Sequence, residues 1–465
     1  MTALHDLDAR TQAAALRSGD LLPPELAAHY LERIARIDPA IGAFVEVTRD
    51  AALARARGLA RPATGPLWGL PLADKDLVAR AGVPTRYGSR AFRDHVPLRS
   101  DDLAAALDEA GAVSLGKTAT PEFGLTGYTE TAFTPPTRDP WDLGHGAGGS
   151  SGGAAAAVAA GLLPVAPGSD GGGSIRIPAA TVGIVGLKPS RGRMPIGSGV
   201  DSFAGLAVSG PLARTVADAA FLADAMRMLR PYPHALTAPR ARDLLPTALE
   251  PAPALRVGVT TVSPWDDAED IVLDPSARDA VDLAAGVLER SGHAVDTLDW
   301  RPHGYAAMFH VVWRASAARL PLTAEQLGLV EPITAWLTRE GRALSAPQVL
   351  DALAAANAFE RETIAAFGGF DAVLTPALAQ TPRPVGWFDA EDAERNFAQQ
   401  VRYAPYSSFV NVAGLPALTV PVTTDAGGHP VSIQLVGRPG GEAAIVSLAA
   451  QLESARGPLP HPPLW

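Results

Sequence analysis

Near the N-terminus, hydrophobic positions recur at helical spacing in two blocks. Residues 7–17 and 24–37 read as amphipathic helices, the first ended by Ser18-Gly19-Asp20 and the second opened by Pro23-Pro24. Leu31, Ile34 and Ile37 mark the apolar face of the second. A helix is also expected over 101–110, stopped by Gly111 and followed by a short buried strand, Ala112-Val113-Ser114-Leu115. Another is expected over 211–229, with Val216, Ala220, Leu222 and Met226 on its apolar side. Strand patterns fall at 255–260, 371–375 and 417–422, and at 431–436 after the Gly427-Gly428 turn. Residues 230–253, rich in Pro, Ala and Arg, read as a surface connection rather than a domain boundary. Helices alternating with short apolar strands predict a layered α/β fold. No internal repeat and no coiled-coil heptad interrupts that pattern.

Composition narrows the classes. The chain has 465 residues, 47% of them hydrophobic, which suits a large globular core. Its formal net charge of −10 argues against a nucleic-acid or anionic-membrane partner. With no cysteine there is no disulfide, no thiolate metal site and no cysteine nucleophile. The opening Met1-Thr2-Ala3-Leu4-His5-Asp6 has neither a basic start nor an apolar segment, so no signal peptide is expected. The alanine-rich run at 154–165 is too short to span a bilayer. The expectation is a soluble, cytoplasmic enzyme.

The chemistry concentrates in two glycine-serine elements and one lysine. Gly148-Gly149-Ser150-Ser151-Gly152-Gly153 precedes the alanine run, and Gly168-Ser169-Asp170-Gly171-Gly172-Gly173-Ser174-Ile175-Arg176 follows it. Lys75 lies upstream in Pro71-Leu72-Ala73-Asp74-Lys75-Asp76, after the apolar Trp68-Gly69-Leu70. A serine hydroxyl needs a base to become a nucleophile, and a lysine serves only when burial or a cationic neighbour keeps its amine neutral. Asp74 and Asp76 would hold the amine charged if they faced it; in a strand they point to the opposite side from Lys75. The glycines at 171–173 let backbone N–H groups converge on one point, the construction of an oxyanion cradle. This combination points to a hydrolase of amides or related carbonyl bonds that needs no metal and no cofactor.

These residues resemble the amidase signature family. The resemblance rests on Gly148–Gly153 and Asp170–Arg176, and on Gly186-Leu187-Lys188-Pro189, Gly210–Arg214 with Val216-Ala217-Asp218, Asn411–Pro416 and Pro430–Leu435. It covers nearly the whole chain and weakens from about 230 to 370. It implies a single α/β/α sandwich around a mixed central sheet, spanning 1–465. The core that carries the chemistry would lie at 65–220, and a variable region at 230–400 would shape the substrate pocket. It implies Ser174 as nucleophile, Ser150 as a bridging serine held by a cis Gly149–Ser150 bond, and Lys75 as base. It also implies oxyanion donors from Gly171, Gly172 and Gly173, and support from Ser151, Asp170 and Arg176. Departures from the family pattern are Ser169 where threonine is usual, Gly171 after Asp170, Ala119 after Lys117-Thr118, and Ala147 before Gly148. They leave the triad untouched and bear on the pocket.

Other patterns compete. Gly111–Thr118 matches a Walker A sequence, but a helix precedes it, an apolar strand fills it and Pro121 follows, which is the wrong context for phosphate binding. Gly149–Gly153 also fits Gly-x-Ser-x-Gly with Ser151 as nucleophile, yet no buried strand leads into it, and His303, His310 and His429 have no distinctive setting. The histidines show no metal-ligand spacing. Trp265, Trp300, Phe309, Trp313, Trp336 and Trp387 read mostly as core. Trp313, Trp336, Tyr128 and Gly149 are the candidates for the pocket wall.

The expected activity is cleavage of a carboxylic amide C–N bond through an acyl-enzyme on Ser174, extending to aryl esters and carbamates. The partner is a small-molecule substrate, with a homodimer as the candidate assembly. The alternatives are the glutaminase subunit of a tRNA-dependent amidotransferase, an inactive binding protein on the same fold, and a P-loop nucleotide binder.

Overall fold

A computed structural model describes residues 3–59, 65–194, 197, 202–227 and 243–465. Thirteen strands run through these residues. They are β1 (Phe44–Val47), β2 (Pro71–Lys75), β3 (Val113–Thr118), β4 (Arg138–Asp139), β5 (Asp142–Gly146), β6 (Val165–Asp170) and β7 (Val185–Lys188). They continue as β8 (Val208–Ala213), β9 (Arg256–Val259), β10 (Ala294–Thr297), β11 (Ala372–Pro376), β12 (Ala417–Thr424) and β13 (Pro430–Gly437).

Eight of them form one mixed sheet in the order β10-β9-β11-β13-β12-β7-β8-β6. β9 is parallel to both neighbours, and the pairings from β11 to β6 are antiparallel. A smaller sheet, β1-β3-β2, adjoins it through contacts of β2 with β6. That contact matters, because Lys75 ends β2 and Asp170 ends β6.

Helices flank the sheet. Val185, Leu187, Leu418, Val420, Ile433 and Leu435 pack against Val216–Arg227, Pro275–Arg290 and Glu442–Arg456. A second cluster joins Pro23–Ile41, through Leu26, Tyr30 and Ile34, to the alanine helix Gly152–Ala159. A third, rich in aromatic rings, gathers Tyr305–Ala318, Pro332–Ala343, Ala346–Phe367 and Ala393–Tyr403. Gly153, at the start of Gly152–Ala159, is needed for close approach. A Cβ on Gly153 would stand 2.3 Å from the Ala119 nitrogen, and the Gly153 N–H donates to the Ala119 carbonyl at 3.1 Å. No helix among the described residues is long and apolar enough to cross a membrane.

The predicted helices at 7–17, 24–37 and 101–110 are present as Ala9–Ser18, Pro23–Ile41 and Asp102–Glu109. Asp8 caps the first by accepting from the Thr11 N–H at 2.7 Å. The helix expected over 211–229 is shorter. Pro211–Ala213 belongs to β8, where it pairs with Val165–Pro167, and the helix runs Val216–Arg227. Residues 228–229 lie outside the described residues. So do 230–242 of the expected connection, whose remainder includes a short helix, Leu244–Leu249, with Leu244 buried.

Candidate active site

Lys75 reaches the site as the last residue of β2, with only 2% of its surface exposed. Its Nζ lies 2.7 Å from Ser150 Oγ and 3.2 Å from Ser169 Oγ. Burial pushes its pKa down to about 7, against a weaker upward pull from Asp170. The flanking carboxylates face elsewhere, as a strand requires. Asp74 binds Arg80 at 2.6 Å and Ser114 Oγ at 3.0 Å, and Asp76 pairs with Lys117 at 3.4 Å.

Ser150 stands in the turn before Gly152–Ala159, and the Gly149–Ser150 peptide is cis. The backbone of Tyr128 comes so close that a Cβ on Gly149 would lie 2.7 Å from it. The next residue, Ser151, ties the two serine loops together. Its N–H donates to the Ser174 carbonyl at 3.0 Å and its hydroxyl to the Ser169 carbonyl at 3.3 Å. Fully buried and so engaged, Ser151 is no exposed nucleophile, which removes the Gly-x-Ser-x-Gly reading.

Ser174 follows the glycine loop at the end of β6 and opens onto a cavity of about 70 Å³. Asp170 shapes the loop. Its Oδ1 accepts from the Gly173 N–H at 2.7 Å and its Oδ2 from the Ile175 N–H at 3.1 Å. The expected trio of oxyanion donors is thereby reduced. Gly173's N–H is taken, while no protein acceptor within the described residues meets the N–H groups of Gly171 and Gly172. Gly173 is needed for conformation instead. Its φ is +124°, and a Cβ there would lie 2.3 Å from Ser407 Oγ.

Arg176 fastens this loop to the C-terminal third of the chain. It grips Asp170 through Nε and Nη2, both at 3.0 Å, and donates to Ser407 O at 2.9 Å, Gln434 Oε1 at 2.7 Å and Asn411 Oδ1 at 2.6 Å. Burial works against the Asp170 carboxylate. The Arg176 charge and these hydrogen bonds overcome it and hold the group well below the usual carboxylate range. Asn411 Nδ2 bonds the same carboxylate at 2.9 Å, and Ser407 Oγ donates to the Gly172 carbonyl at 2.7 Å. Sequence reasoning gave Ser407, Asn411 and Gln434 no role. The segments Asn411–Pro416 and Pro430–Leu435 were visible as resemblances, but the partner they share was not.

Of the expected pocket residues, Trp313 lines the Ser174 cavity together with Trp265, Phe309 and Phe397. Tyr128 and Trp336 do not. The Tyr128 ring stacks on Phe388 at 4.2 Å with its hydroxyl accepting from Asn396 Nδ2, and Trp336 sits behind Phe397 with Arg314 over its face. Two further readings are settled by position. Lys117 lies inside β3 with its amine against Asp76, Thr85 Oγ1 and the Val78 carbonyl, so Gly111–Thr118 is not a phosphate loop. His429 does have a distinctive setting, 2.5 Å from the buried Asp139, but it lines other cavities than that of Ser174.

The arrangement is a mixed α/β fold in which a buried lysine at the end of β2 meets a serine in the turn before Gly152–Ala159, and the fold as a whole is shared with known hydrolases of amides. It is similar to the structure of 6-aminohexanoate cyclic dimer hydrolase complexed with substrate, with a TM-score of 0.90, 29% identity, and 99% of this chain and 100% of that one covered. It is also similar to a bacterial aryl acylamidase of the amidase signature family, with a TM-score of 0.83, 26% identity, and 97% and 96% covered. In sequence it is 33% identical to an acylamidase of Rhodococcus erythropolis, over 97% of this chain and 96% of the relative. The sequence model named Amidase matches residues 25–446, and the chain belongs to the amidase signature family. It is accordingly a hydrolase acting on amides.

Proposed function

We propose that the protein cleaves carboxylic amide C–N bonds through an acyl-enzyme on Ser174, with Lys75 as the base and Ser150 as the proton bridge. The single observation that supports this best is the 2.7 Å contact between Ser150 Oγ and a buried Lys75 amine whose pKa lies at about 7. A neutral amine takes the Ser150 proton as Ser150 takes that of Ser174. Ser174 Oγ then bonds to the carbonyl carbon, and the carbonyl oxygen gains charge facing the N–H groups of Gly171 and Gly172. Each such donor is worth about 3–4 kcal/mol in the transition state. The proton held by Lys75 returns through Ser150 to the leaving nitrogen as the C–N bond breaks. Water then releases the acyl group by the same steps in reverse. Asp170, Arg176 and Ser151 position the loops. Aryl esters and carbamates present the same carbonyl with a comparable or better leaving group and fall within this chemistry.

The test is single-turnover reaction with an activated aryl amide, followed by intact-protein mass. The expected result is an acyl adduct on the wild-type protein, mapped to Ser174 and absent from Ser174→Ala. An adduct elsewhere, or undiminished turnover by Ser174→Ala, overturns the assignment.

A further inference from the structure

The cavity beside Ser174 has two properties that bear on what it admits. Among the described residues its walls carry no ionisable side chain. Leu125, Ile177, Trp265, Phe309, Trp313 and Phe397 supply the apolar surface. The polar groups there are largely engaged. Gln400 Oε1 accepts from the Gly127 N–H at 2.8 Å and its Nε2 donates to Asn396 Oδ1 at 2.7 Å. Ser408 Oγ accepts from Tyr305 at 2.8 Å and from Trp265 Nε1 at 3.2 Å. A charged group entering this recess would lose its water and find no counter-charge on the described walls, which disfavours its entry.

The second property is size. The cavity holds about 70 Å³, whereas a cavity of roughly 150 Å³ takes up benzene. One large side chain borders the recess on its outer side. Trp313 projects from Tyr305–Ala318 one turn beyond Phe309, and the two rings stack at 5.5 Å with 16° between their planes. The Trp313 ring edge lies over the glycine loop, 3.8 Å from where a Cβ on Gly172 would be and 3.9 Å from one on Gly171. Phe309 is buried at 4% exposure, but Trp313 is only half-buried, so it forms the outer wall. The acyl group is the part of an amide that stays on Ser174 between the two half-reactions, and this recess is lined by Ser174 itself.

Resting on the acyl-enzyme reading above, we infer that this recess is the acyl pocket, that it selects uncharged, compact aliphatic acyl groups, and that Trp313 sets the size limit. A butanoyl group fits, a benzoyl ring requires Trp313 to be cut back, and a terminal carboxylate is refused.

The experiment compares butanoyl, benzoyl and succinyl p-nitroanilides on the wild type, Trp313→Ala and the milder Trp313→Leu. Wild type is expected to favour butanoyl over benzoyl about 10-fold in kcat/KM, and butanoyl over succinyl by about 100-fold. Trp313→Ala is expected to raise the benzoyl-to-butanoyl ratio about 10-fold or more, with Trp313→Leu in between, and the succinyl discrimination persists in both. An unchanged size ratio in the folded variants, or succinyl cleaved as fast as butanoyl, overturns the inference. Binding to Ser174→Ala, read by tryptophan fluorescence with butyranilide and succinanilic acid, separates the two levels. Turnover without selectivity sinks the pocket assignment alone. Selective binding of butyranilide by a protein that never forms a Ser174 adduct sinks the acyl-enzyme reading and keeps the pocket.

Discussion

Lys75 and Lys117 sit one strand apart, both almost fully buried, yet their surroundings differ in kind. Lys75 ends β2 facing two hydroxyls, Ser150 and Ser169, with no carboxylate of the described residues in contact. Lys117, on β3 beside Asp74 in the parallel register, meets Asp76 at 3.4 Å, Thr85 Oγ1 at 3.1 Å and the Val78 carbonyl. Burial lowers both amines, and Asp76 pulls Lys117 back toward the charged form. The difference teaches that desolvation makes a lysine basic-poised only when its partners can also live beside a neutral amine. Hydroxyls can, because they donate as well as accept. A buried carboxylate cannot, because it would be left unpaired.

The strongest way to break this comparison is Lys75→Met. Removing the base is expected to lower kcat/KM about 10³-fold or more, while the melting temperature holds or rises. The sign follows from linkage. Lys75 titrates at about 7 in the folded chain and near 10.5 when unfolded. The unfolded state therefore binds more protons between those values, and wild-type stability rises with pH across that window. Lys75→Met should flatten that rise. Turnover within tenfold of wild type would sink the role of Lys75, and a collapsed melting transition would make it structural.

At Lys117 the outcome is expected to reverse. Lys117→Met leaves Asp76 buried without its cation, a loss of about 3–5 kcal/mol in stability. Chemical denaturation should report it. Adding Asp76→Asn should restore part of the loss, because the amide oxygen still accepts from the Arg86 N–H that Asp76 now holds at 3.1 Å. If Lys117→Met unfolds like wild type, the pair is not structural. If the double variant is weaker than the single, the buried charge is not the cause.

Both lysines are visible in the sequence, but only their strand context separates them. The glycine-serine loops were legible because few other purposes call for those residue types in that order, and Lys75 gained meaning from them. The alternating pattern of helices and strands was legible for the same reason that Leu31, Ile34 and Ile37 pointed inward: period decides face. What was not legible was long-range pairing. Pro211–Ala213 looked continuous with the helix after it, and only its neighbours on β6 and β7 make it a strand. Ser407, Asn411 and Gln434 converge on Arg176 and Asp170 from far along the chain, and nothing local marks them. The cavity walls were the least readable of all. Trp336 buttresses Phe397 from outside while Trp265 lines the cavity, yet both are aromatic residues in apolar stretches.

The finest distinction lies within the Lys75 neighbourhood, at Ser169, which stands where the family usually has threonine. Its hydroxyl lies 3.2 Å from the Lys75 amine, and as an acceptor it favours the charged amine. In the wild type, kcat/KM is expected to fall about tenfold per pH unit below the Lys75 pKa of about 7 and to level off above it, since only the neutral amine accepts a proton. Ser169→Ala removes one partner of the charged form, so the acid limb should move to lower pH by a few tenths of a unit. The plateau should drop only severalfold, because the Ser150 contact that relays the proton is retained. A limb that stays in place would mean that Ser169 does not influence the amine. A limb that moves to higher pH would mean that the hydroxyl donates to a neutral Lys75 in the resting enzyme, so that Ser169 helps hold the base ready instead of opposing it.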